Sequence, residues 1–200
     1  AEREAARATL GLDGRRLVLV TVGGGGDGDP LVRSYLKALR GAADPGYDSV
    51  IVTGPLMSPR KRSAFGEEAA RAPRVRLLEF SPNLPDLVAA ADAVVSMGGY
   101  NSVCEAVWCR RPALFVPRTR PRLEQSLRAE RFARLGLGRV LDPDRLAPGA
   151  LRREVERLLE GDVPRPRIAL DFQGGERAAR EIEGLLEGCR PKKPLAAARG

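Results

Sequence analysis

Nearly continuous apolar runs recur along this chain, and they restrict its fold more than any other feature of the sequence. The first run, residues 16–22, lacks the alternation of a half-exposed strand and is typical of a strand that is buried on both faces. Segments of helical length separate the runs, and this alternation indicates β-α-β crossovers. We therefore expect an α/β fold, a Rossmann-like parallel sheet with helices on both faces and six strands at residues 16–22, 49–53, 75–80, 93–96, 113–116 and 138–141.

Residues 96–106 follow the fourth predicted strand and have the sequence S-M-G-G-Y-N-S-V-C-E-A. A strand, a glycine turn and the start of a helix point unpaired backbone N–H groups at an anion. We expect a helix at residues 103–109, capped by Asn101 or Ser102, with Glu105 within reach of a ligand at the helix start. This arrangement suits a phosphate beside a polyhydroxylated group, as in a sugar nucleotide.

An alternative explains the same residues without a ligand. Ser102 and Glu105 fit the capping box S-x-x-E, in which the glutamate serves only the helix. The tetraglycine at residues 23–26 is also ambiguous, because it is neither a G-x-G-x-x-G fingerprint nor a P-loop with G-K-[ST]. From the residues alone, the capping box and a flexible glycine connector both stay open.

Three segments together resemble the nucleotide-binding half of the GT-B glycosyltransferases: M-G-G-Y-N-S-V-C-E-A at residues 97–106, R-P-A-L-F-V-P-R at 111–118, and Glu124-Gln125. The resemblance covers about residues 15–160. It points to glycosyltransferases similar to the bacterial enzyme that adds N-acetylglucosamine to the lipid-linked peptidoglycan precursor. It implies a UDP- or dTDP-linked sugar donor and inverting, metal-independent transfer without a further cofactor, and it assigns no catalytic residue in this chain.

The resemblance also implies which positions contact the donor. The base would lie against backbone groups of Phe80 and Ser81, although Phe80 also suits a core aromatic at a strand end. Backbone N–H groups at the helix start would bind the diphosphate, Glu105 the ribose hydroxyls, and Glu124 with Gln125 the sugar. The whole predicted set is Gly24, Gly25, Gly26, Phe80, Ser81, Gly99, Tyr100, Asn101, Ser102, Glu105, Glu124 and Gln125.

Histidine is missing from the whole sequence, which excludes His-based metal sites and Ser-His-Asp or Cys-His catalysis by this chain. The three cysteines have no metal-ligand spacing either, so we expect no metal site. Many nucleotide-sugar glycosyltransferases carry a histidine just before the glycines of the turn, where this chain has Met97 or Gly98. Diphosphate stabilisation would then fall on backbone dipoles and on arginines that also suit solvated surface charges, namely Arg118, Arg120 and Arg122.

The net charge of +8 raises the alternative of a non-catalytic basic module that binds nucleic acid. Most of the basic residues are arginines that accompany abundant alanine, glycine and proline, and interleaved aromatics and recognition motifs are missing, so we expect no nucleic-acid partner. A UDP-sugar epimerase of the same fold is a second alternative, which the lack of histidine disfavours. The charge also suits peripheral association with an acidic membrane surface.

We expect a donor-binding domain at residues 1–161, a linker and closing helix at 162–190, and a disordered basic tail at 191–200. A GT-B enzyme has two Rossmann-like domains, so the resemblance implies a missing N-terminal acceptor domain or a partner subunit that supplies it. No apolar run approaches the roughly 18 residues of a membrane helix. Residues 1–20 lack a signal-peptide pattern, and the expected location is cytoplasmic.

Overall fold

Six parallel strands form one sheet in the computed structural model, which describes residues 2–9, 11, 14–40, 44–118 and 123–188. The strands are β1 (Arg16–Thr21), β2 (Tyr47–Val52), β3 (Val75–Leu78), β4 (Ala93–Ser96), β5 (Ala113–Phe115) and β6 (Arg139–Val140). Their order across the sheet is β3-β2-β1-β4-β5-β6, and every neighbouring pair is parallel. The predicted Rossmann-like sheet of six parallel strands is confirmed.

Helices cover both faces of the sheet, as predicted. They are α1 (Glu2–Thr9), α2 (Asp29–Leu39), α3 (Pro59–Ala70), α4 (Leu84–Ala90), α5 (Tyr100–Trp108), α6 (Glu124–Arg134) and α7 (Pro148–Leu159), with a 3-10 helix at Pro143–Arg145. Side chains alternate across a strand, so Val18 and Val20 of β1 enter one apolar core while Leu17 and Leu19 enter another. The first core packs against α2, α3 and α7, and the second against α4, α5 and α6.

The sequence places these cores at the centre of the sheet because β1 has no polar side chain between its ends. Leu17, Val18, Leu19 and Val20 are fully buried, and each such side chain contributes about 1.5–3 kcal/mol relative to an exposed one. The strand order reverses at β1: the chain runs outward through β2 and β3, then returns to form β4 on the other side of β1. The loops after β1 and β4 therefore diverge at the carboxyl end of the sheet, where ligands of such folds bind.

The chain divides into two compact units, residues 1–167 and 168–200. The first contains the sheet and α1 to α7, and the second contains α8 (Gly174–Gly188), which exposes Ile182, Leu185 and Leu186. The predicted boundaries after residues 161 and 190 stay predictions, and the predicted tail lies outside the described residues. Within the described residues, no helix combines the length and the apolar character that a membrane span requires.

Candidate functional site

A cavity of about 470 Å³ opens where the loops after β1 and β4 diverge. The glycine loop after β1 forms one wall and the first turn of α5 another, with residues from α6 and from the loop after β5 beside them. Segments that are distant in sequence thus meet at the reversal of strand order. Six residues of the predicted set line this cavity together: Gly24, Gly25, Gly26, Gly99, Ser102 and Gln125.

The helix at this cavity begins earlier than predicted, at Tyr100 instead of residue 103. Its N-cap is Gly99, in an extended conformation (φ −57°, ψ 149°), and no side chain of the described residues caps it. The predicted caps Asn101 and Ser102 are therefore wrong, because both residues lie inside the first turn. Backbone N–H groups of a first turn have no acceptor within the helix, so Tyr100, Asn101 and Ser102 offer three donors beside the cavity.

The same boundary rules out the capping box for Glu105. A capping-box glutamate is the third residue of its helix, whereas Glu105 is the sixth residue of α5. Its Oε2 atom is buried without a hydrogen-bond partner among the described residues. Burial also raises the pKa of the Glu105 carboxyl group. Glu105 does not line the cavity itself, but it holds an unused acceptor further along the same helix.

The glycine loop is packed against the loop after β2 and is not a flexible connector. The N–H of Leu56 donates to the carbonyl oxygen of Gly24 over 2.7 Å, and Leu56 also lines the cavity. A side chain at Gly25 would collide with the backbone of the loop after β2. Gly26 and Gly99, in contrast, have open space where a Cβ atom would lie. A ligand can therefore approach the backbone at these two positions.

Phe80 and Ser81 lie outside the cavity. Phe80 is 62% exposed, so the interpretation of Phe80 as a core aromatic is wrong; the strand before it ends two residues earlier. The loop that contains them is bound to the loop after β2, where the N–H of Gly54 donates to the carbonyl oxygen of Glu79 over 2.8 Å. Because Leu56 of that second loop lines the cavity, Phe80 and Ser81 are separated from it by one loop.

The side-chain oxygen of Gln125 accepts a hydrogen bond from within the protein. Its Oε1 atom accepts the backbone N–H of Arg118 over 3.3 Å, and the hydroxyl of Ser126 donates to the carbonyl oxygen of Arg118 over 3.1 Å. The amide NH₂ of Gln125 remains as the group that can donate to a ligand in the cavity. Glu124 does not line the cavity and forms an ion pair with Arg128.

Arg118 is the one of the three candidate arginines that the structure describes; Arg120 and Arg122 lie outside the described residues. Its side chain lines the cavity and forms an ion pair with Asp27 of the glycine loop. The guanidinium of Arg118 is thus paired with a carboxylate at the cavity, and its side chain stays partly exposed to solvent. Met97, which precedes the two glycines of the turn, also lines the cavity.

Two residues that support the site were missed by the sequence analysis. Arg128 donates to the carbonyl oxygen of Gly98 over 3.1 Å, and its guanidinium lies 5.5 Å from the centre of the Tyr100 ring. Because Gly98 has φ 73°, this contact holds the left-handed turn that precedes α5. Asp27 is the second missed residue. No local pattern identifies either one, since Gly98 is 30 positions from Arg128, and Arg118 is 91 positions from Asp27.

The sequence model of the glycosyltransferase family 28 C-terminal domain matches residues 17–166. The chain belongs to this family. The family 28 domain is 33% identical over 191 residues to the UDP-N-acetylglucosamine–N-acetylmuramyl-(pentapeptide) pyrophosphoryl-undecaprenol N-acetylglucosamine transferase of Symbiobacterium thermophilum, covering 94% of this chain and 50% of that protein. It is 30% identical over 186 residues to an uncharacterized glycosyltransferase of Methanopyrus kandleri, covering 92% of this chain and 50% of the relative.

A solved structure resembles the family 28 domain as well. MurG of Acinetobacter baumannii gives a TM-score of 0.69 at 19% identity, covering 91% of this chain and 52% of that chain, and this likeness shows the fold alone. The predicted resemblance to the nucleotide-binding half of a GT-B glycosyltransferase is confirmed. The family 28 domain spans about half the length of the curated relatives that it matches.

Proposed function

We propose that this family 28 domain binds the nucleotide-diphospho-sugar donor of an inverting, metal-independent glycosyltransferase. The observation that carries the proposal is the cavity at the reversal of strand order, where the start of α5 meets the glycine loop. The donor is UDP- or dTDP-linked. UDP-N-acetylglucosamine is the first donor to test, because the Symbiobacterium relative is named for it.

The diphosphate lies in the cavity, against the start of α5. The N–H groups of Tyr100, Asn101 and Ser102 bind its oxygens, and the partial positive charge of the helix start favours the anion. Hydrogen bonds to a charged group contribute about 1.5–3 kcal/mol each. Open space at Gly26 and Gly99 lets the phosphates approach the backbone on both sides of the cavity.

The ribose hydroxyls bind Glu105. Its buried Oε2 atom has no hydrogen-bond partner among the described residues, and a buried acceptor without a partner is costly until a donor reaches it. Two ribose hydroxyls supply such donors. The carboxylate form is then the favoured form, although burial alone raises the pKa of this group.

The base lies against Phe80 and Ser81, on the side of α5 that faces α4. Leu87 of α4 and Val103 of α5 belong to the same apolar core, and the two helices contact each other. Phe80 and Ser81 lie in the loop that leads from β3 to α4, four and three residues before Leu84. The exposed ring of Phe80 offers a stacking surface to the base, and backbone groups of Ser81 offer hydrogen bonds to its edge.

The sugar binds at the start of α6, where the amide NH₂ of Gln125 donates to a hydroxyl. Glu124 contributes to this subsite indirectly, through its ion pair with Arg128. Backbone N–H groups and Arg118 stabilise the leaving diphosphate, so the transfer needs no divalent cation. The acceptor and the catalytic base belong to an acceptor domain, on the same polypeptide or on a partner subunit.

Calorimetric titration of the chain tests this proposal, with UDP, dTDP and UDP-N-acetylglucosamine added in EDTA or in Mg²⁺. We expect one molecule bound per chain, with equal affinity in both buffers and no sugar transfer by the chain alone. No binding at about 10 mM UDP would reject the donor-site proposal. A requirement for Mg²⁺ would reject metal independence. Binding of oligonucleotides with a steep salt dependence would favour the basic module instead.

A further inference from the structure

The ion pair between Asp27 and Arg118 joins the two loops that border the cavity. Asp27 belongs to the glycine loop after β1, and Arg118 follows β5. Their side chains are 42% and 33% exposed, so solvent reaches both partners. Ion pairs at this exposure stabilise a fold only weakly, and a stronger anion can displace the carboxylate.

The backbone of Arg118 is fixed, while its side chain borders open space. Gln125 accepts its N–H and Ser126 donates to its carbonyl oxygen, so α6 holds the main chain at both hydrogen-bonding groups. A second cavity, of about 510 Å³, shares Asp27, Met97 and Arg118 with the first. The ion pair thus lies between the two cavities. The guanidinium of Arg118 can therefore exchange Asp27 for another partner without any repacking of the core.

Among the described residues that line the two cavities, Asp144 is the one further charged residue, and it lines the second cavity only. Asp27 is therefore the carboxylate that shares the first cavity with Arg118, on the same side as the start of α5. A guanidinium binds phosphate oxygens through two parallel hydrogen bonds, and a diphosphate carries more negative charge than one carboxylate. A diphosphate at the start of α5 competes directly with Asp27 for Arg118.

We propose that Asp27 is an internal competitor of the donor diphosphate: it holds Arg118 in the unliganded domain and releases it when a nucleoside diphosphate binds. This inference rests on the proposed donor site. Arg118 then determines specificity for diphosphates. Only a ligand with sufficient negative charge in the cavity compensates for the interaction free energy that is lost when the Asp27–Arg118 ion pair breaks. The unusual consequence is that removing the Asp27 charge strengthens donor binding.

The test is a calorimetric double-mutant cycle with UDP and UMP on the wild-type chain, Asp27→Asn, Arg118→Gln and the double variant. We expect Asp27→Asn to bind UDP about two- to fivefold more tightly, and Arg118→Gln to bind it about tenfold more weakly. The preference for UDP over UMP should shrink in Arg118→Gln. In the Arg118→Gln background, Asp27→Asn should leave the affinity unchanged within about twofold.

Asp29→Asn is the matched control, since Asp29 lies in the same segment, pairs with Arg33 and Lys61, and lines neither cavity. Two results would overturn the inference in favour of a general charge effect. One is an increase in UDP affinity from Asp27→Asn that persists in the Arg118→Gln background. The other is an equal increase in UDP affinity from Asp29→Asn. Weaker UDP binding by Asp27→Asn would also overturn it, by making Asp27 a ligand contact. If the wild-type chain binds no UDP, the proposed function and this inference both fail; the other outcomes reject the inference alone.

Discussion

A Cβ atom at Gly25 would lie 2.0 Å from the carbonyl oxygen of Thr53, a separation that no side chain can accept. Gly25 also has φ 90°, in the region that residues with a side chain avoid. Its neighbour Gly26 has a negative φ and open space around the position of its Cβ. The two adjacent glycines therefore have different roles: Gly25 allows close packing of two loops, and Gly26 leaves space for a ligand.

Alanine at these two positions should separate stability from binding. Gly25→Ala should lower the free energy of unfolding by at least about 2 kcal/mol, because it combines a backbone collision with an unfavourable φ. Gly26→Ala should leave the melting temperature unchanged and weaken UDP binding about three- to tenfold, because its methyl group enters the cavity. Chemical denaturation and calorimetry measure the two effects. A Gly25→Ala chain as stable as wild type would show that the loop is not packed as described.

Glu105→Gln tests the ribose contact. The substitution removes the charge and one acceptor oxygen, so UDP binding should weaken about tenfold, with a smaller loss for the 2′-deoxy analogue. The melting temperature should stay the same or rise slightly, since a buried unpaired carboxylate is replaced by a neutral group. Glu130→Gln, at an exposed position of α6, is the control and should change neither quantity. Equal affinities of Glu105→Gln and wild type would remove Glu105 from the site.

The raised pKa of Glu105 predicts a pH dependence with a defined sign. Burial makes the folded, unliganded chain hold this proton above the pKa of an exposed glutamate, about 4.3. Stability should therefore fall as the pH rises from that value through the raised pKa, because the folded state binds more protons than the unfolded state. UDP binding favours the carboxylate, so affinity should rise over the same interval. The ratio of the Glu105→Gln and wild-type dissociation constants should increase with pH; a constant ratio would contradict the assignment.

Arg128 should stabilise the turn before α5 and, through it, the donor site. Arg128→Gln loses a charged hydrogen bond to the Gly98 carbonyl and the contact with the Tyr100 ring, so unfolding free energy should fall by about 1–3 kcal/mol. UDP affinity should fall as well, because the first turn of α5 is less well ordered. Arg131→Gln, on the exposed side of α6, should stay within about 0.5 kcal/mol of wild type. Similar melting temperatures for the two variants would contradict the role of Arg128.

The sheet could be predicted from the sequence because its central strands are largely apolar. β1 has only apolar side chains between Arg16 and Thr21, and the three residues of β4 before Ser96 are apolar as well. The alternation of strands and helices then allows few topologies. The first residue of α5 was harder to predict from the sequence. S-x-x-E occurs by chance in this helix, and the true cap, Gly99, has no side-chain signal. A pair of glycines directly before Tyr100 was the local indication of an earlier start.

Contacts between distant loops could not be predicted from local patterns. Arg118 was one of three equivalent arginines in the sequence, and its ion pair with Asp27 depends on the packing of the loops after β1 and β5. The position of Phe80 depended on where β3 ends, which is set by pairing with β2. Glu105 was a candidate from the sequence alone, whereas the burial of its Oε2 atom without a hydrogen-bond partner among the described residues is a property of tertiary structure. Local chemistry indicates the candidates, and long-range packing decides among them.

Backbone amide NMR of the ¹⁵N-labelled chain during titration with UDP tests the central claim most directly. If a nucleoside diphosphate binds between the glycine loop and the start of α5, the largest chemical-shift changes should occur at residues 23–27 and 99–102, with a common saturation curve. Smaller changes should follow at Phe80, Ser81 and Gln125. Changes confined to other surfaces, such as α7 or α8, or no change at about 10 mM UDP, would contradict the claim.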